Sequence, residues 1–161
     1  MMAVSRGRVK RDGLNQKPDL SQTQWYILGI PAVVLFVMAV LQILSFNEFK
    51  DWLNGIRVGW PTFVAVMIIV AELLGALSLT QVNISRSLRF TGLTLGVLVS
   101  GFWFIENLQL ASSGAAGQLP NSGFFGNFLT QSPGWWSIME VTILFFWVLY
   151  AVELLKTHRE Y

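Results

Sequence analysis

The chain has 161 residues, of which 53% are hydrophobic and only 12% charged, with a net charge of +2 and a mean hydropathy of +0.54. Soluble domains carry about 25% charged residues; half that, with seven Trp and twelve Phe, argues against a soluble enzyme, a disordered chain or a nucleic-acid binder. The absence of Cys and the single His158 leave no thiol chemistry, iron–sulfur cluster or bis-histidine haem within this chain, and no His-rich metal site.

Residues 1–24 form a basic tail carrying Arg6, Arg8, Lys10, Arg11 and Lys17. The apolar run behind it is too long for the h-region of a secretory signal, and no small-x-small cleavage site follows, so the first span is read as retained. A helix needs about 20 apolar residues to cross a hydrocarbon core about 30 Å thick. Four stretches meet that length: 25–46 with no charge, 58–79 charged only at Glu72, 88–110 with Arg89 and Glu106, and 135–155 with Glu140 and Glu153. Backbone amides in lipid must be satisfied within their own segment, so the spans are helices. The expected fold is an all-α integral membrane four-helix bundle.

Pro31 falls in the second turn of the first span, and Pro61 likewise in the second, where a helix tolerates proline. The first link, Asn47–Arg57, is short and mixed in charge; Thr80–Ser87 is a tight turn; 107–134 is a long, uncharged loop rich in Gly, Ser and Asn that contains Phe124, Phe125 and Phe128. Part of that loop is expected to lie along the outer membrane surface, the alternative being a mobile loop with scattered aromatics. Residues 156–161 form a short basic tail. Lys and Arg number nine in the two tails and the Thr80–Ser87 region against two, Lys50 and Arg57, on the opposite side. That bias predicts both termini in the cytoplasm, with Trp52, Trp60, Trp103, Trp135 and Trp136 near the outer interface.

Gly92, Gly96 and Ser100 recur at four-residue spacing on the third span, opposite Ala71, Gly75 and Ala76 on the second. Such strips let backbones approach in lipid; internal packing is the preferred reading, a homodimer interface the alternative. The four glutamates carry the rest of the information, because a charge in the bilayer faces the bundle or water. Glu153, beside Lys156 and Arg159, reads as a solvated interfacial charge. Glu72 is the deepest, about 21 Å from the outer end of its span. Glu106 and Glu140 reach one common depth about 20 Å outward of it. An acidic, Trp-lined outer pocket is expected there, with Gln42, Asn107 and Gln109 as hydrogen-bond partners and Lys50 or Arg57 as counter-charges. The plainer alternative is that these polar residues knit helix ends together.

Phe46-Asn47-Glu48-Phe49-Lys50-Asp51-Trp52-Leu53, then Gly59-Trp60-Pro61, then Ala71-Glu72-Leu73-Leu74-Gly75-Ala76 and Arg86 follow in an order that resembles the DoxX family and its MauE-like relatives, small four-span bacterial membrane proteins. The resemblance covers roughly residues 46–101; the long 107–134 link departs from it. It implies a four-helix bundle in the inner membrane, association with redox machinery such as quinol oxidation, thiol-stress complexes or amine-dehydrogenase maturation, and Glu72 as the intramembrane acid. It brings no catalytic residue.

The resulting expectation is an accessory or anchoring subunit of a redox or quinone-linked membrane complex, with no intrinsic cofactor, a quinone or lipid as ligand, and the bilayer and a membrane or periplasmic protein as partners. The alternative is a proton-coupled small-molecule carrier using the intramembrane glutamates. A self-sufficient enzyme using carboxylates as acid and base ranks last.

Overall fold

The computed structural model describes residues 20–80, 82–113, 123–125 and 134–157. Five helices account for nearly all of these: α1 (Gln22–Leu44), α2 (Phe46–Gly55), α3 (Pro61–Leu79), α4 (Arg86–Ser112) and α5 (Trp135–Thr157). Four of them, all but α2, are long and apolar enough to cross a membrane. The basic tails 1–19 and 158–161, with Arg159, lie outside the described residues.

Local chemistry sets the helix ends. Ser21 caps α1: its Oγ accepts from the Gln24 amide, and the Gln24 side chain accepts from the Ser21 amide. Ser85 caps α4 by accepting from the Leu88 amide at 3.3 Å. Pro61 occupies the first turn of α3, where its missing N–H leaves nothing unpaired. The expected span limits thus move by two or three residues at most of these ends.

Two expectations change. The charged link 47–57 is mostly helix: Phe46, Phe49 and Leu53 recur at helical spacing, Phe49 and Leu53 are buried, and Asn47, Glu48, Asp51 and Asn54 face outward. Pro31 sits in the third turn of α1 and not the second, because the helix starts at Gln22. A proline there leaves the carbonyl four residues back, that of Ile27, without its helical donor. The Trp147 indole Nε1 of α5 donates to that carbonyl at 3.0 Å. In an apolar setting a neighbouring helix must satisfy such a group. Trp147→Phe is therefore expected to lower stability by about 1–2 kcal/mol, read as thermal unfolding in detergent. Pro31→Ala, which restores the N–H, should recover most of that loss.

The helices run up and down around one core that includes Leu28, Leu35, Met38, Ala65, Trp103, Val141 and Val148. α3 is the central element, packed on both α1 and α4, with α5 against α4. Gly75 of α3 meets Gly96 of α4 so closely that a Cβ on Gly75 would lie 2.8 Å from the Gly96 Cα. Gly92 packs on Leu74 and Ser78, and the buried Ser100 hydroxyl donates to the Gly96 carbonyl within its own helix at 2.9 Å. The small-residue strip is thus occupied by packing within the chain. Below, the near end of the bundle is the one where α1 begins and α5 finishes; the far end carries α2.

Candidate functional site

Glu72 lies eleven residues after Pro61, or about 17 Å along α3 from the far end. Its side chain is fully buried. Oε1 accepts from the Gln42 Nε2 of α1 at 3.1 Å and from the Trp103 Nε1 of α4 at 2.8 Å. Three helices therefore converge on one carboxyl oxygen. Gln42 Nε2 also donates to the Phe124 carbonyl at 3.3 Å, which ties the far-end loop to the same group. The second carboxyl oxygen, Oε2, and the Gln42 oxygen, Oε1, are buried without a partner.

An aromatic roof covers this centre. Trp103, with no solvent exposure, has ring centroids within 5.6 Å of Trp52 and Phe124 and 6.1 Å of Phe49. Phe124 meets it edge-on, the favoured geometry for rings with negative faces and positive edges. Gly123 sits on the face of Trp52 with φ +75, and a Cβ there would lie 2.5 Å from the indole ring. Only glycine meets both demands. α2 matters here because its buried face supplies Phe49 and Trp52, so the amphipathic link is part of the site and not merely a connector.

The sequence-predicted residues divide differently from expectation. Gln42 belongs with Glu72 and not with an outer group. The Gly75–Gly96 contact sets Glu72 level with Val99, seven residues before Glu106, so the offset is about 10 Å and not 20 Å. Trp103 lies inside and not at an interface, whereas Trp60, Trp135 and Trp136 are exposed. The stacking of Phe145 on Phe104, with its contact to Gly101, carries Glu140 to the level of Glu106 and Asn107. Glu106 and Glu140 are half-buried at that level, and no hydrogen bond joins them among the described residues. Asn107 is buried and donates to the Trp103 carbonyl at 3.0 Å, with its own oxygen unpartnered. Gln109 is exposed on α4. Lys50 approaches Asp51 at 3.9 Å, Arg57 is exposed, and neither pairs with Glu72, Glu106 or Glu140 among the described residues. Glu153 pairs with Lys156 at 3.4 Å. The 107–134 loop begins later than expected, because 107–112 are the last turns of α4; beyond them only Ser113, Gly123–Phe125 and Gly134 are described, Phe124 turns inward and not along a surface, and Phe128 lies outside the described residues.

The centre can hold one carboxyl rigidly, buried in the bundle and paired with no Lys or Arg among the described residues. The signals for its unforeseen members were present: a buried Trp needs a partner for its N–H, and 46/49/53 is a helical spacing. No family model, curated protein or solved structure matches the chain.

Proposed function

We propose that the chain is a multi-pass inner-membrane protein of DoxX-like character, with both termini in the cytoplasm, and that it serves as an accessory or anchoring subunit of a redox or quinone-linked complex. The orientation rests on the excess of Lys and Arg at the near end and in the tails. The observation that carries the functional reading is the far-end rim. Trp60, Trp135 and Trp136 are 81%, 85% and 70% exposed there. Each wall of exposed indole opens an apolar groove, one along Pro61, Phe63 and Val66, the other along Met139 and Ile143. Flat aromatic walls suit a quinone ring, and the aliphatic floor suits a prenyl chain or a partner helix. Glu72, by contrast, is buried and takes its described partners, Gln42 and Trp103, from inside the bundle, which favours a structural role over the proton-coupled alternative.

Purification from native membranes in mild detergent tests the proposal. The chain is expected to co-isolate with a membrane or periplasmic redox protein or with solvent-extractable quinone. The W60A/W135A/W136A variant should lose at least tenfold of either. A ligand-free monomer from the unaltered chain overturns it.

A further inference from the structure

The polar atoms at the centre of the bundle leave a specific deficit. Both hydrogens of the Gln42 amide are used, one on Glu72 Oε1 at 3.1 Å and one on the Phe124 carbonyl at 3.3 Å. Glu72 Oε1 takes a second donor from Trp103. The remaining atoms, Glu72 Oε2 and Gln42 Oε1, are both buried and both unpartnered. They belong to two planar groups already joined by one N–H···O bond. An ionised carboxylate only accepts, and so does an amide oxygen, so neither can satisfy the other.

Exchanging the amide nitrogen and oxygen of Gln42 does not help. That orientation would set the amide oxygen against the Phe124 carbonyl, which has no hydrogen to give whatever the protonation of Glu72. The Phe124 contact therefore fixes the orientation of the amide, nitrogen toward Glu72 Oε1. The groups that touch the carboxyl, Gln42 and Trp103, are uncharged, and no Lys or Arg pairs with Glu72 among the described residues.

We propose that Glu72 and Gln42 together form a proton-binding site, in which Glu72 Oε2 carries a hydrogen that it donates to Gln42 Oε1, closing a cyclic acid–amide pair. One added hydrogen completes both side chains. Glu72 Oε1 then accepts from Gln42 and Trp103, Gln42 donates to Glu72 and Phe124, and Gln42 Oε1 accepts from Glu72. The site joins α1, α3, α4 and the far-end loop through a single neutral ring, and it stands independently of the accessory-subunit reading. Two rivals would fill the deficit differently: a water donating both hydrogens to the two oxygens, or a monovalent cation between them. Each leaves Glu72 ionised.

Infrared difference spectra of the full chain in nanodiscs separate these cases. Subtracting E72Q from the unaltered protein at neutral pH should reveal a protonated-carboxyl carbonyl band that shifts in D2O. In Q42L the same band should move to the higher frequency of an acid whose hydroxyl has lost its acceptor. E72Q places an amide N–H where the acid O–H stood, so its melting temperature should stay within about 2 °C of the parent. That near-equality keeps the subtraction valid even if Q42L folds poorly. Carboxylate bands alone in the difference, whether or not they depend on sodium, overturn the proposal.

Discussion

Trp103→Ala is expected to lower stability by about 3 kcal/mol and to loosen the far end of the bundle, measured as unfolding in detergent with proteolysis between residues 113 and 134 as a local probe. The side chain has no solvent exposure and is in ring contact with Phe49, Trp52, Phe102 and Phe124. Burial of an aromatic in a soluble core is worth about 3–5 kcal/mol on truncation to alanine. Lipid tails are as apolar as the core, so the transfer part of that figure is reduced here and the packing part remains. A second loss adds to it: the indole donates to Glu72 at 2.8 Å, and removing that bond, with Oε1 still accepting from Gln42, costs about 1 kcal/mol. Trp103→Phe separates the two parts. It keeps most of the ring contacts and removes only the N–H, so it should show about a third of the effect. Equal losses for Phe and Ala would mean that the hydrogen bond alone holds the roof.

That roof marks where sequence reasoning reached its limit. The long apolar runs identified α1, α3, α4 and α5 to within a few residues at most ends, because length and hydropathy act on each helix separately. Depth does not. Whether Gln42 meets Glu72 or Glu106 depends on how far α1 and α4 slide along α3, and those offsets are set where Leu35 of α1 and Gly96 of α4 both pack on Gly75. Counting residues from the ends of single spans put Glu72 about 20 Å from Glu106 and grouped Gln42 with the wrong partners. α2 was obscured by its charges: Glu48, Lys50 and Asp51 disguise a face on which Phe49 and Leu53 are buried. Phe124 comes from a loop with no periodicity, so its place against Trp103 had no local signal at all. The glycine strip was legible because its spacing alone specifies close approach, whichever surface it meets.

Gly92→Val is expected to be the other severe substitution, with a loss of about 3 kcal/mol or failure to fold. A Cβ at Gly92 would run into the Ser78 side chain and lie 2.5 Å from the Leu74 carbonyl oxygen. The second of these is helix backbone and cannot swing away, so α3 and α4 would have to part. Over-packing of this kind typically costs about 1–3 kcal/mol, and more when backbone is the obstacle. The contact matters beyond its own energy, since the same two helices present Glu72 and Trp103 to each other. Separation of α3 from α4 should therefore also expose the Trp103 indole, seen as quenching of its fluorescence by a water-soluble quencher. Gly92→Ala, which adds that Cβ alone, should show a smaller loss, and Ser78→Ala in its background removes one obstacle and leaves the other, so it should recover only part of that smaller loss. Gly29→Ala is the control: nothing lies within 4 Å of a Cβ there, and the change should leave stability equal or raise it by about 0.5 kcal/mol. A strip that served a homodimer would behave otherwise. Gly92→Val would then change the oligomeric state while each chain stayed folded, and size-exclusion chromatography beside thermal unfolding tells the two apart.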